Sequence, residues 1–322
     1  MALFAKDFIG VDLGAAYVDC AILEKKGKGV QLKDYFAVEK EAKGEERAQD
    51  QAKIAREFES RKLVNAKAAI SLPDKNFLVI TFKLPKLPPK EKEIAVRSEI
   101  EQKIPFPLDE CAFDIVRLNP KEGAENDYVA FCTRISDVNR NHAIASNFTL
   151  MPERALTEMV ANLNCAEFNG YMEDKSISYL LIDVGAMHVG FTLITNNLPW
   201  LTFCMAPKDS MVAAVTETVF DPKSFFEEQV HEVGKVISSF EEKSVVASIK
   251  KILLFGKAPL TELAFEKIPT ITPIPIEKVD PIKNIGLTPK LQESLNKSLL
   301  SSVAIGLALT TVDNLEVKNV KT

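Results

Sequence analysis

Residues 9–23 read IGVDLGAAYVDCAIL, and residues 180–194 read LLIDVGAMHVGFTLI. Laid side by side without a gap, they share Asp12 with Asp183, Gly14 with Gly185, Ala15 with Ala186 and Val18 with Val189, and most other positions are apolar in both. Each segment is an apolar run of strand length closed by Asp-x-Gly and followed by a second β-rich run, the pattern of a buried strand, a tight turn and a returning strand. A hairpin that occurs twice in one chain implies two related halves, each founded on its own sheet. The expected fold class is α/β, with two related domains around a cleft.

Size and composition agree with that reading. The chain has 322 residues, enough for about two domains. Hydrophobic residues make up 46% and charged residues 26%, which excludes a disordered chain, a collagen and a disulfide-stapled miniprotein. Forty Lys+Arg against forty-five Asp+Glu leave a net charge of −5, so there is no basic excess to neutralise a phosphate backbone and no nucleic-acid partner is expected. Cys20, Cys111, Cys132, Cys165 and Cys204 are scattered, odd in number and lack a C-x-x-C pair; they read as buried thiols in a reducing compartment. Lys6 and Asp7 precede any apolar run, so no signal peptide is expected. The longest weakly polar stretch, Ser298 to Val312, falls short of the ~20 residues of a membrane span. A soluble, cytosolic chain is expected.

Between the two hairpins the chain changes character. Ala48, Ala52, Ile54, Ala55 and Phe58 give the charge-dense segment 39–62 a modest apolar face, and a surface helix is expected there. Strands are expected at Lys67–Leu72 and Asn76–Leu84, then a charged helix from about Lys90 to Lys103 that Pro105 and Pro107 stop. Strands at about Cys111–Leu118 and Tyr128–Thr133 complete a small α+β insertion over 76–136. After the second hairpin come a strand at 199–204 and helices at about 208–219 and 223–242. Phe226, Val230, Val233, Ile237 and Phe240 share one face of the latter, which reads as a core stripe, the alternative being a partner-binding helix. A buried strand, Lys251–Phe255, runs into Gly256, the proline-rich stretch Pro269–Pro281 is expected to be extended, and a last helix spans about 291–309.

Asp-x-Gly at a hairpin suits phosphate and metal chemistry. Glycine lets backbone N–H groups approach phosphate oxygens, and an aspartate at a strand end can hold a Mg²⁺-bound water. Asp12, Gly14, Asp183 and Gly185 are therefore candidate nucleotide-binding residues, two turns that would clasp a phosphate tail from both sides. The bland alternative is a pair of sheet-edge turns that bind nothing. His142, His188 and His231 have no metal-ligand spacing, and His188, beside the second turn, is expected as an exposed turn residue without a role.

The two hairpins, the Leu-Leu-Phe-Gly strand end at Gly256 and the terminal Val-Ala-Ile-Gly-Leu-Ala-Leu helix resemble the actin-like ATPase superfamily. More narrowly, Ile9–Leu23, the segment from Leu84-Pro85 to Ile-Pro-Phe-Pro-Leu-Asp109, and Ser302–Leu309 resemble the PilM family of type IV pilus assembly proteins, relatives of the cell-division protein FtsA. The resemblance implies an actin-like (ribonuclease H-like) two-domain fold: 1–75 and 291–322 in the first domain, 76–136 as an inserted α+β subdomain, and 137–290 in the second domain. It implies Mg²⁺–ATP in the cleft, with Gly256 at the adenosine. It also implies a partner, the short cytoplasmic N-terminal peptide of a PilN-like bitopic inner-membrane protein. That peptide would dock in a groove beside the insertion, for which Leu78, Ile80, Phe82, Ile104 and Phe106 are the candidate lining residues; the alternative for each is the insertion's own core.

The chain departs from the family pattern at the cleft. Ala15 and Ala16 follow the first glycine where hydroxyl residues are usual, the second turn reads Ala186-Met187-His188, the stretch Ala206–Ser210 lacks a Gly-Gly pair, and Phe255-Gly256-Lys257 keeps one glycine of two. Each change puts a Cβ or more where backbone should meet nucleotide, at roughly 1–3 kcal/mol apiece. The expected cleft binds ATP weakly at best and does not hydrolyse it, so the function expected from the resemblance is a cytoplasmic pilus-assembly scaffold that works by recognition. Two alternatives are a type II secretion platform component of the GspL type, disfavoured by the absence of a span, and an active ATPase such as FtsA. The latter is disfavoured by the glycine inventory and by the short polar tail DNLEVKNVKT at 313–322.

Overall fold

The computed structural model describes residues 7–40, 46–118, 125–195, 198–206, 221–243 and 248–312. In chain order the elements begin with β1 (Asp7–Asp12), β2 (Tyr17–Lys26), β3 (Gly29–Glu39), α1 (Glu46–Ser60), β4 (Lys67–Leu72), β5 (Leu78–Pro85), α2 (Pro89–Glu101), β6 (Cys111–Leu118) and β7 (Glu125–Arg134). They continue with α3 (Ile135–Asn147), β8 (Met151–Thr157), α4 (Glu158–Phe168), β9 (Ser178–Val184), β10 (Val189–Thr195) and β11 (Leu198–Met205). The last are α5 (Pro222–Gln229), α6 (Glu232–Lys243), β12 (Ile249–Gly256), α7 (Leu260–Lys267), β13 (Ile276–Lys278), β14 (Gly286–Leu287), α8 (Pro289–Ser294) and α9 (Ser302–Thr310).

The repeat seen in the sequence is a repeat of whole sheets. The first sheet has the order β14-β3-β2-β1-β4-β8 and the second β11-β10-β9-β12-β13. In each, a three-strand antiparallel meander opens with the Asp-x-Gly hairpin, and its first strand pairs in parallel with a strand that pairs in parallel with one more. Thus β1, β2, β3, β4 and β8 answer to β9, β10, β11, β12 and β13. The strands β4 and β9 are buried at all but one position each and β12 along Ile252–Phe255, which explains their apolar runs.

Several expected boundaries move. The second sheet starts at Ser178, whereas the expectation opened the second domain at 137. The free parallel edge of β4 takes β8 as its neighbour, and α3 packs Ala145 and Phe148 into the core beneath the first sheet. β14, also inside the expected 137–290, pairs with β3. Of the surface helix expected over 39–62, the described part is α1, Glu46–Ser60, and Glu39 belongs to β3. The helix over 223–242 breaks at Val230–His231 into α5 and α6, yet its stripe is core: Phe226, Val233, Ile237 and Phe240 are buried and Val230 packs against them. The expected helix over 208–219 lies outside the described residues.

The last helix is shorter than expected. Asn296 and Ser301 each accept backbone N–H groups and restart the chain twice, so α8, a 3₁₀ turn at Lys297–Leu299 and α9 replace one continuous helix. α9 is buried on every side along Ser302–Leu309, as its uniformly apolar sequence requires. It lies against β1, where a Cβ on Gly10 would come within 2.1 Å of the Ala304 carbonyl oxygen. The third sheet, β5-β7-β6, carries α2 on one face and has its own core of Ile80, Phe82, Leu84, Val96, Ile100, Ile104 and Tyr128.

Candidate functional site

The two Asp-x-Gly turns meet over the N-terminus of α9. Asp12, at the end of β1, accepts the Ser71 hydroxyl at 3.1 Å and the Ser301 hydroxyl at 2.9 Å. Ser71 in turn accepts the Leu13 N–H at 2.7 Å. Asp183, at the matching position of β9, accepts the Asn162 amide at 2.8 Å, and the carbonyl of that amide accepts the Ser302 hydroxyl at 2.6 Å. Adjacent serines at the start of α9 thus serve the first aspartate directly and the second through Asn162 of α4. Both oxygens of Asp12 and Oδ2 of Asp183 thus have partners from the chain itself.

Electrostatics at the first hairpin are tight. Asp12 and Asp19 are cross-strand partners. Burial, and then the Asp19 charge, push the Asp12 carboxyl up to about 6, against the opposing pull of Ser301, Lys257 and Ser71. Asp19 is 2% exposed, accepts the Tyr35 hydroxyl at 2.5 Å and pairs with Lys257 Nζ at 2.6 Å. The Tyr35 hydroxyl oxygen in its turn accepts the Ser301 N–H at 2.8 Å. Lys40 crosses the turn and donates to the Gly14 carbonyl at 2.5 Å; burial lowers its pKa although Asp12, Asp50 and Asp19 act to raise it.

The second hairpin overturns the expectation for His188, which is not an idle exposed residue. Its Nε2 stands 3.7 Å from both Glu158 Oε2 and Asp183 Oδ2, longer than hydrogen bonds but close ion pairs, with the side chain 21% exposed. Burial opposes its charge, but Glu158, then Asp183 and Asp74, outweigh it and push the imidazole up to about 10. Glu158 is itself pushed up to about 7, chiefly by burial, and burial followed by the Glu158 charge also raises Asp74. The imidazole lies over Gly185, where a Cβ would come within 2.3 Å of His188 Cε1, and the Gly185 N–H is used on the His188 carbonyl at 3.0 Å. Gly185 therefore makes room for a side chain of its own turn.

Gly256 has a comparable internal reason. Its φ of +120° favours glycine, and a Cβ there would come within 2.4 Å of the Val184 carbonyl oxygen, so the glycine lets β12 close onto the end of β9 and directs Lys257 across to β2. Among the described residues no group of three or more His, Cys, Asp or Glu side chains is arranged to hold a metal ion.

The sequence family described as type IV pilus assembly protein PilM matches residues 10–199, more than half of the chain. The chain belongs to the PilM family. A chain of the solved PilM–PilN type IV pilus biogenesis complex superposes with a TM-score of 0.71 at 20% identity, over 94% of this PilM-family chain and 97% of that one. The cytoplasmic domain of EpsL, an inner-membrane component of the type II secretion system of Vibrio cholerae, superposes with a TM-score of 0.50 at 10% identity, over 95% and 96%. A Bacteroides thetaiotaomicron protein with an actin-like ATPase fold superposes with a TM-score of 0.49 at 10% identity, over 87% and 93%. No curated protein matches the sequence. The fold of this PilM-family chain is actin-like, two related α/β units with a small α+β insertion.

The five expected groove residues divide. Ile80, Phe82 and Ile104 are buried in the insertion's own core, Ile80 and Phe82 because alternation along β5 turns them inward and Ile104 from the turn that follows α2. Leu78 and Phe106 are half-buried at its margin. The Arg134 guanidinium lies 4.6 Å from the Phe106 ring centroid and Arg97 lies 5.6 Å from that of Phe113, and each arginine also faces a glutamate, Glu110 at 3.7 Å and Glu93 at 3.5 Å.

Reasoning on the sequence missed Asp19, Lys40, Ser71, Asn162, Ser301 and Lys257. Asp19 carried a usable signal: it is the one charge inside the apolar run of β2, and a charge in such a run needs a partner.

Proposed function

We propose that this PilM-family chain is a cytoplasmic scaffold of a type IV pilus assembly machine. It binds the N-terminal cytoplasmic peptide of a PilN-like bitopic inner-membrane protein, and its nucleotide cleft is degenerate. Membership of the PilM family carries the first half, since the matched residues 10–199 include the whole insertion. The pairing of PilM with PilN in the solved complex supports the choice of peptide donor. Among the described residues no helix is long and apolar enough to cross a membrane, so in this reading the chain reaches the inner membrane through that partner. Docking falls at the margin of the insertion, where Leu78 and Phe106 remain partly accessible to an apolar peptide side chain.

The degenerate cleft is supported by its own residues, which do not fit a Mg²⁺–nucleotide tail. The Gly14 carbonyl is covered by Lys40, Gly185 by His188, and Asp12 and Asp183 are engaged by Ser71, Ser301 and Asn162. No hydrolytic step is assigned. The working action is recognition of a peptide by the insertion.

The test is fluorescence-anisotropy titration of a labelled peptide, the N-terminal cytoplasmic tail of the PilN-like subunit from the same organism. Phe106→Asp is expected to weaken binding at least tenfold while circular dichroism stays native. Unchanged affinity in both Phe106→Asp and Leu78→Asp removes the insertion margin as the docking site.

A further inference from the structure

The turn after β12 carries a cation of the second sheet into the first. Lys257 Nζ lies 2.6 and 2.7 Å from the two carboxylate oxygens of Asp19 and 4.7 Å from the Tyr17 ring centroid. The next residue, Ala258, donates its N–H to the Ser298 carbonyl at 2.9 Å, just ahead of α9. Asp19 needs that cation. It sits, buried, opposite the half-buried Asp12 across the hairpin, and like charges so placed repel unless a counter-charge stands between or beside them.

His188 does the same at the other turn. Three carboxylates, Glu158, Asp183 and Asp74, converge on its imidazole, and they come from α4, from β9 and from the turn following β4. That turn is fastened to the start of α4, since the Asp74 N–H donates to Glu158 at 3.3 Å and Asp74 accepts the Met159 N–H at 3.0 Å. At each Asp-x-Gly turn, therefore, buried carboxylates of one sheet meet a cation of the other sheet or a cation that ties the two together. A ligand that filled such a cleft would have to bring that positive charge with it, as a metal-bound polyphosphate does.

We infer that the cleft is a self-filled clasp, in which Lys257 and His188 stand in for a ligand-borne cation and hold the two sheets closed with no nucleotide present. The inference rests on the degenerate-cleft reading above, and its test uses no partner peptide.

Hydrogen–deuterium exchange on the full chain decides it. Exchange of the amides in Gly256–Thr261 and Leu299–Ala304 is expected to be the same with and without Mg²⁺–ATP. Lys257→Met should speed exchange in both segments about tenfold, because it removes the Lys257–Asp19 pair, which Tyr35 joins to the Ser301 N–H. Lys278→Met, which breaks the 2.8 Å pair with Glu262 inside the second half, should leave Leu299–Ala304 unchanged. His188→Asn should speed exchange around the 183–190 turn and the start of α4. If Lys257→Met leaves Leu299–Ala304 at the wild-type rate, the clasp is wrong while the absence of nucleotide binding stands. If Mg²⁺–ATP slows exchange in the wild type, the clasp and the degenerate cleft fall together.

Discussion

A methyl group on Gly306 would lie 1.9 Å from the carbonyl oxygen of Ala161, so α9 and α4 cross with their backbones in contact. These two helices carry Ser301, Ser302 and Asn162, the residues that serve the paired aspartates, and their separation sets the spacing of the cleft. Gly306→Ala is expected to cost roughly 3 kcal/mol, because the obstruction is backbone and cannot rotate away. Gly10→Ala, on the other side of α9 and 2.1 Å from the Ala304 oxygen, should cost a similar amount. Urea denaturation monitored by circular dichroism measures both; a midpoint within error of wild type for Gly306→Ala would show that the helices can part without loss.

The insertion offers a separation of stability from recognition. Phe82 is buried and stacks on Tyr128 with ring centroids 5.7 Å apart. Truncation to Ala should cost about 3–5 kcal/mol and lower the thermal midpoint. Phe106 is only half-buried beneath Arg134, so Phe106→Ala should cost about 1 kcal/mol or less and act instead on peptide affinity. Differential scanning calorimetry beside a peptide titration checks the division, and equal destabilisation by both variants would refute it.

The duplication was legible because both hairpins are continuous apolar strands ended by the same Asp-x-Gly, a pattern local enough to survive in sequence. β4 was legible for a similar reason, a short buried run between polar flanks. β8 was not: its sequence MPERALT is mostly exposed along one edge of the sheet and shows no alternation, so only its pairing with β4 makes it a strand. The cleft was half legible. Asp12, Asp183 and the glycines stand in a motif, whereas Asp19, Asn162, Lys257 and Ser301 are joined by contacts across the fold that no spacing encodes. His188 was misjudged because a histidine after a turn reads as solvated, and the carboxylates that bury its charge, Asp74 and Glu158, come from distant elements.

Ser301 holds two roles that one substitution tests together. Its hydroxyl accepts the Ala304 N–H at 3.1 Å as the N-cap of α9 and donates to Asp12 at 2.9 Å. Ser301→Ala should cost about 1–2 kcal/mol from the lost cap. It should also raise the Asp12 pKa further, since this hydrogen bond favours the ionised form. Ser301→Asp would keep a cap but add a third carboxylate to Asp12 and Asp19, and it should be less stable than Ser301→Ala at pH 8. Urea midpoints at that pH compare the two; the reverse order would mean that capping outweighs charge at this turn.

Stability should fall as the medium becomes alkaline, and His188 supplies the reason. Its folded-state pKa of about 10 lies above the ordinary 6.5, so between those values the folded chain holds a proton that the unfolded chain has released. The stabilisation is complete below about pH 6.5 and is lost as pH rises through 10. Glu158 and Asp12, raised to about 7 and about 6, have the same sign at lower pH: the folded chain binds their protons more tightly, so stability declines as pH rises from about 4 to about 7. Lys40, with a lowered pKa, acts in the opposite direction. Comparison with His188→Gln isolates the imidazole, which Glu158, Asp183 and Asp74 face. Urea unfolding at pH 6, 8 and 10 should give a wild-type free energy that drops across the series more steeply than that of His188→Gln. Parallel lines for the two proteins would mean that His188 is neutral in the folded state, and the charge assigned to it at the second turn would have to be withdrawn.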